Sequence, residues 1–403
     1  MSNHTDFVII GGGIQGLSIA RAIYKKTPTA KINLFEKEAQ VAQHASGRNS
    51  GVLHAGIYYA PNSLKARFCA DGSRKMQDYC TEHRLSLAQT GKVIVATNEK
   101  ELFALNQLYQ NGCDNGANLS LITDEKLIFK SWPYLSRATR AVIFSPQTCV
   151  VDPTQIAKII LKELDTPNTK IRLRSAVTQI DPDKKILFVG SQEFHYGQLI
   201  NAAGCFADQI AHMCRFGLQY KVIPFRGIYK KLIGPTQNKI HTNVYPVPDV
   251  SLPFLGIHFT KSVHGDTYIG PNALPAFGRE NYSGFEGGNI PESIRNALRL
   301  GLKFIKNDQG IRPYAIKELR SLSRLKFTKE AQRLIPEVQA SEIHKSTKVG
   351  IRSQLLDRST NQLVMDFLYQ RNGDQHHILN GVSPGFTCAF PFADYVVSQM
   401  EGL

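Results

Sequence analysis

A chain of 403 residues with 42% hydrophobic and 20% charged side chains is long enough to bury a sizeable core and to form two domains, which excludes a disordered or fibrous protein. The formal net charge of +15 favours anionic partners, but no zinc finger or RNA-reading aromatic motif accompanies it, so nucleic acid is not expected as a partner. The seven cysteines are scattered without a CxxC pair, which argues against a disulfide scaffold, an iron–sulfur cluster or a structural zinc; no metal is expected.

The first predicted elements are the most informative. Residues 6–10 are an apolar run, Gly11, Gly13 and Gly16 follow in GxGxxG spacing, an Ala/Ile-rich helical stretch comes next, and a second apolar run closes on Glu36. This order is what a dinucleotide site needs. Gly11 permits the turn, Gly13 lets the backbone approach a pyrophosphate, and Gly16 lets the helix pack on the strand. The N–H groups around Ile14 and Gln15 face the phosphates, and Glu36 accepts from a ribose hydroxyl. The glycines alone would also suit a turn in another α/β protein. The full series points to a dinucleotide.

A Gly/Ser-rich loop over 45–56 carries Arg48, Asn49, Ser50 and His54. A helix is predicted over 63–82, a strand over 92–96, a helix over 99–117, and another helix after Asp152, with Pro153 in its first turn. At a second strand-to-helix junction, over 198–208, Ala202, Ala203 and Gly204 allow close backbone contact with a ligand. Short period-two runs at 227–230 and 267–270 suggest a mixed or antiparallel sheet. Residues 295–333 are rich in Arg and Lys. There Leu298, Leu302 and Ile305 share a helical face, with Arg295, Arg299, Lys303 and Lys306 interleaved. Such a helix either lies on an acidic membrane surface or is an ordinary solvated one. Near the end, Gly385, Phe386 and Thr387 lead into an apolar helix over 388–400, where the backbone donors of Gly385 and Thr387 favour a negative ligand atom.

Residues 1–85, 151–212 and 346–403 are therefore assigned to a dinucleotide domain, and residues 86–150 and 213–345 to a substrate domain with a basic helical region over 290–335. No stretch is apolar enough to span a bilayer. The first strand begins almost at residue 1, which leaves no room for a leader, so a cytoplasmic location is expected.

Several motifs go further. The segments running from Gly47 to Tyr59, from Pro224 through Arg226 to Tyr229, from Tyr245 to Pro248 and from Pro253 to His258 resemble those of L-2-hydroxyglutarate dehydrogenases/oxidases. So do Gly270 to Ala273, Val349 to Arg352, Gly373-Asp374 and Ser383-Pro384. The resemblance covers essentially the whole chain. It departs after Ser383-Pro384, where the family usually has smaller residues, and over 261–266. It implies an α/β FAD-binding Rossmann-like domain of the glutathione-reductase type, with an inserted α+β substrate domain on a mixed or antiparallel sheet. It also implies oxidation of L-2-hydroxyglutarate to 2-oxoglutarate, with electrons passing from FAD to a membrane quinone or other acceptor. Bacterial members associate with the inner face of the cytoplasmic membrane, which supports a peripheral membrane role for the basic helices. A distinct substrate on the same scaffold (glycerol 3-phosphate, an amino acid or a secondary amine), a nucleic-acid-associated flavoprotein and an NAD-dependent dehydrogenase are the rival readings.

Oxidising a secondary alcohol moves a proton from oxygen and a hydride from carbon. His258, closing an apolar run, is assigned as the base because histidine titrates near neutrality. Arg352, in a Gly-Ile-Arg segment, is assigned to the carboxylate beside the reacting carbon, since a guanidinium matches a carboxylate with two parallel bonds. Arg226 is a second candidate for a carboxylate of the small dicarboxylate substrate, or a support for the domain junction. Tyr58 or Tyr59 supplies a hydroxyl near the ring. His54 either contacts substrate and packs or, as in related flavoproteins, bonds covalently to the flavin. Non-covalent FAD is the expectation. Arg48, Asn49 and Ser50 fix the loop or contact FAD, Ala203 and Gly204 line its cleft, and Asp374 either contacts the ribityl region or caps a turn. Gly385, Phe386 and Thr387 are placed at the flavin O2 edge.

Overall fold

The computed structural model describes residues 4–248, 255–307 and 311–400; Pro253 and Phe254 of the quoted motif lie outside them. Among these residues the strands form an eight-stranded, a ten-stranded and a three-stranded sheet. In the first, the apolar strand His4–Ile10 lies between Ile32–Phe35 and Gln192–Asn201, parallel to both, and Thr169–Arg172 extends the sheet beyond Ile32–Phe35. The outer edge of Gln192–Asn201 is shared. Its first half pairs antiparallel with Ile186–Val189 and its second half runs parallel to Gln375–Asn380.

Parallel strands of this kind are covered on both faces and read as unbroken apolar runs. All of Ile32–Phe35 is buried. On one face Ile9 and Leu34 pack with Leu17, Ile23, Phe392 and Val396 from the helices Ile14–Lys26 and Ala389–Ser398. On the other, Val8, Ile10 and Phe35 pack with Leu199 and Ile210. The N- and C-terminal segments thus share one core.

The ten-stranded sheet runs, edge to edge, Gln362–Leu363, Ile343–Asp357, Tyr220–Leu232, Thr267–Gly270, His258–Lys261, Asn243–Pro246, Lys92–Ala96, Ala141–Ser145, Ser120–Ile122, with Leu274–Pro275 beside Tyr220–Leu232. Its pairings are antiparallel except where Asn243–Pro246 meets Lys92–Ala96, the seam between two separated chain segments. The mixed sheet expected from the period-two runs is present. The division at residue 346 is corrected: Ile343–Asp357 pairs with Tyr220–Leu232 through Asp357, and the first sheet resumes only at Leu368–Asn372. Arg352 therefore belongs to the substrate-domain sheet. Asp152 accepts from the N–H groups of Thr154 and Gln155 with Pro153 in the first turn, as its sequence position predicts.

The helix Ile290–Lys306 is inverted. Its buried residues are polar: Glu292, Asn296 and Lys303. Glu292 pairs with Arg279 and Lys221, and the Lys303 ammonium bonds to the carbonyl of Asn361. Ile290, Ile294, Leu298, Leu302 and Ile305 face outward, with Leu298 66% and Leu302 59% exposed. No described helix is long and apolar enough to cross a membrane.

Candidate active site

Strands His4–Ile10 and Gln192–Asn201 end side by side, with Ile10 opposite Asn201. The turn that follows is tight. Gly11 has φ +113°, and a Cβ there would lie 2.5 Å from the Ala202 carbonyl oxygen. A Cβ on Gly16 would lie 2.0 Å from the carbonyl oxygen of Gly11, so the helix packs directly on the turn. Glu36 is buried; its carboxylate accepts from Gly12 N at 2.7 Å and from Glu38 N at 2.9 Å. The acid therefore fixes the glycine turn at the strand end where a ribose is expected. Ile14 is corrected as a phosphate donor, because its N–H is used by Ser46 Oγ at 2.8 Å; Gln15 Nε2 donates to the Gly385 carbonyl at 2.7 Å, tying the first helix to the C-terminal segment. Gly204 opens a short turn at φ +55° with open space around it. Ala203 N is held by Asn201 Oδ1 at 3.2 Å.

The loop after this cleft is self-bonded. Asn49 donates to the Ser46 carbonyl and accepts from Gly51 N, and Ser50 accepts from Val52 N. Arg48 donates to the Gln43 carbonyl and stacks on Tyr282 at 4.0 Å, which makes it a loop anchor. Buried Thr387 accepts from His54 N at 3.2 Å, joining the loop to the C-terminal turn. Phe386 packs against the first core. Gly385 is corrected as a donor, because its N–H is used by the Val382 carbonyl at 2.8 Å. Of its two readings, Asp374 takes the turn and not the ribityl contact. It sits in the hairpin turn at the amino end of Gln375–Asn380, paired with Lys185, while Gly385 and Thr387 follow that strand's carboxyl end.

The loop delivers His54 and Tyr58 to one face of the ten-stranded sheet, where they meet Lys92, Tyr245, His258 and Arg352. His258 is 4% exposed and stacks on Tyr245 with ring centroids 4.0 Å apart. Its Nδ1 lies 2.8 Å from the Gly256 carbonyl. A carbonyl only accepts, so Nδ1 carries the proton and Nε2 keeps its lone pair. Burial pushes the His258 pKa down to about 3; Arg352 and Lys92 push the same way, against the bond to Gly256. Burial brings His54 to about 3 as well, with Lys92 and His258 adding to the effect. Burial also lifts the Tyr58 phenol well above its ordinary value.

Lys92 lies 4.9 Å from the Tyr58 ring centroid and 5.4 Å from that of Tyr245, and burial lowers its pKa to about 8. A lysine opening an apolar strand reads as a solvent-facing end, so sequence position alone does not single it out. Tyr245 lay in a quoted motif without an assigned role.

Two candidates are held elsewhere. Tyr59 packs on the first core beside Cys69, Cys388 and Lys65, with Tyr58 and Tyr245 also near it. Arg226 pairs in register with Ile351, while Arg352 pairs with Phe225, so the two arginines point to opposite faces. Arg226 donates to Asn281 Oδ1 and to the Gly284 carbonyl, which suits the junction role and not substrate capture. Glu38, His44 and Glu280 bring ligand atoms within 4.8 Å of one another, but the Lys37 ammonium bridges both carboxylates, so the group is an ion-pair cluster.

A profile described as FAD dependent oxidoreductase matches residues 6–399. The chain belongs to this FAD-dependent oxidoreductase family. It is 35% identical over 389 residues to an L-2-hydroxyglutarate dehydrogenase of Indibacter alkaliphilus, covering 94% of each chain. It is 34% identical over 419 residues to the human mitochondrial L-2-hydroxyglutarate dehydrogenase, covering 98% of this chain and 88% of that one. Among solved structures, the L-α-glycerophosphate oxidase of Mycoplasma pneumoniae aligns with a TM-score of 0.75 at 22% identity, over 98% of this chain and 94% of that one. Glycine oxidase of Geobacillus kaustophilus aligns at 0.70 and 16%, with the same coverage. These two share the fold. The protein is thus an FAD-dependent oxidoreductase. The cradle of Gly11, Gly13, Gly16 and Glu36, closed to any Cβ at Gly11 and Gly16, fits the pyrophosphate and adenosine half of FAD. The bond from His54 N to Thr387 joins the His54, Tyr58 and His258 cluster to the C-terminal turn of the same domain.

Proposed function

We propose that this enzyme oxidises L-2-hydroxyglutarate to 2-oxoglutarate. The observation that carries the proposal is His258, buried with its Nδ1 fixed on the Gly256 carbonyl, beside the Arg352 guanidinium from the same sheet. Bound FAD supplies the hydride acceptor. His258 Nε2 takes the hydroxyl proton as the carbonyl forms, and the bond from Nδ1 to Gly256 keeps the ring oriented for that transfer. Arg352 binds the carboxylate next to the reacting carbon, and its charge opposes protonation of His258 before substrate arrives. Tyr58, buried and un-ionised, lends a hydroxyl that orients substrate. Burial of the whole cluster excludes water from the reacting atoms. The cofactor is held without a covalent bond, so denaturation releases all of it into the small-molecule fraction.

Electrons leave to a membrane-borne acceptor such as a quinone. The reading is supported by the inverted helix Ile290–Lys306, which turns five large aliphatic residues outward among Arg295, Arg299 and Lys306, as a helix lying on an anionic bilayer does. Flotation with vesicles containing anionic lipid tests it: the protein co-floats, and Leu298→Glu with Leu302→Glu abolishes flotation while flavin reduction persists. Equal flotation of that variant contradicts the surface.

The substrate is tested by anaerobic bleaching of the flavin with a panel of 2-hydroxy acids, glycerol 3-phosphate, amino acids and secondary amines. Reduction by L-2-hydroxyglutarate above the others is expected. Faster reduction by a phosphate or amine replaces this reading.

A further inference from the structure

Lys92 opens the strand Lys92–Ala96 yet is 0% exposed, and its ammonium meets no hydrogen-bond acceptor among the described residues. Around it stand the phenol rings of Tyr58 and Tyr245. Face-on contact with the two rings stabilises the charge, but burying an ammonium without an anionic partner remains costly even after relaxation. A methionine would fill the same space without that cost. An anion delivered beside the ammonium offsets it.

The place of Lys92 relative to the base says which anion. Lys92 pairs with Asn243, and Val244 with Phe259, so Lys92, Tyr245 and His258 share one face of the sheet. Across that face Tyr245 stands between Lys92 and His258, and Arg352 comes from the strand Ile343–Asp357 on the far side of His258. Neighbouring strands are about 4.8 Å apart, so the Lys92 and His258 strands lie about 10 Å apart, within reach of a lysine side chain and a five-carbon diacid together. The base is flanked by one cation on each side.

We propose that Lys92 is the second carboxylate-binding cation of this site: it takes the carboxylate remote from the reacting carbon while Arg352 takes the near one, so that the two together select a dicarboxylate. The proposal rests on the hydroxy-acid reading above and names its specificity residue. A hydroxy acid bound between the two cations has its alcohol opposite His258.

Holoenzyme carrying Lys92→Met or Lys92→Arg is compared with the unmodified protein in two ways. Glutarate and pentanoate binding are read from the perturbation of the flavin absorbance, and anaerobic flavin reduction is followed with L-2-hydroxyglutarate and L-2-hydroxypentanoate. Lys92→Met should weaken glutarate about ten- to a hundred-fold, leave pentanoate nearly unchanged, and abolish the preference for the dicarboxylate in both assays. Lys92→Arg should keep most of that preference. Equal weakening of both acids, or an unchanged preference at full FAD content, overturns the assignment. If Lys92→Met does not load FAD, the unmodified protein decides. Its preference for glutarate should fall between about pH 6.5 and about pH 9.5 as the lysine loses its charge, a range in which His54 and His258 are already neutral and Tyr58 and Tyr245 stay protonated. An undiminished preference overturns the proposal. Failure of the hydroxy-acid reading looks different: L-2-hydroxyglutarate then leaves the flavin oxidised while glutarate binding still reports on Lys92.

Discussion

The imidazole of His258 lies on the phenol ring of Tyr245, centroids 4.0 Å apart and planes 23° from parallel, while its Nδ1 is bound to the Gly256 carbonyl. Stacking fixes the plane of the ring and the hydrogen bond fixes its rotation, so Nε2 has one direction in which to act. A base oriented this way contributes through proton transfer and not through holding the cofactor. His258→Gln should keep full FAD content and slow anaerobic flavin reduction by about 10²–10⁴-fold. Rapid mixing with substrate measures it, and near-normal reduction would remove the base from the mechanism.

His54 and His258 also make stability depend on pH. Each has an ordinary value of 6.5 and is brought to about 3 in the fold, mainly by burial. The unfolded chain then binds more protons than the native one between these values, so stability is complete above about pH 6.5 and declines as pH falls toward 3. Urea midpoints should drop across that window, and His258→Gln should drop less steeply. A midpoint that is flat from pH 7 to about pH 4 would mean that the rings are solvated.

The two arginines separate by face. Arg352→Met should weaken substrate capture about ten- to a hundred-fold with FAD retained, while Arg226→Met should leave capture intact and reduce stability through its lost bonds to Asn281 and Gly284. Saturation kinetics of flavin reduction distinguish them. The reverse pattern would place the substrate on the other side of the sheet.

At the opposite end of the cofactor site the backbone sets the tolerance. Gly11→Ala puts a Cβ against the Ala202 carbonyl at φ +113°, with strain of roughly 1–3 kcal/mol. Absorbance of the purified protein should show FAD largely lost, and retention of the full flavin spectrum would contradict the tight turn.

The glycine turn, Glu36 and the shared core of the chain ends were legible because local spacing and apolar runs determine them. The pairing of His258 with Arg352 was legible only through family resemblance, since they lie on strands separated by two others in the sheet. Whether Arg226 or Arg352 faced the site depended on register, and one sequence does not reveal which residue of Ile343–Asp357 stands opposite which of Tyr220–Leu232. Asp374 stays open between two readings in the sequence because a Gly-Asp pair suits a hairpin as well as a ligand. Helical spacing separated the two faces of Ile290–Lys306 but not which was buried, and the buried ion pairs of Glu292 reverse the usual choice. Lys92 was hidden by its position at the head of an apolar strand.

Mixing the oxidised protein anaerobically with each enantiomer of 2-hydroxyglutarate, while following the bound flavin, tests the central claim most directly. The L-enantiomer should bleach the flavin with stoichiometric formation of 2-oxoglutarate, and the D-enantiomer should leave it oxidised. A flavin untouched by either enantiomer, or reduced equally by both, would contradict an anionic alcohol held in one orientation between His258 and Arg352.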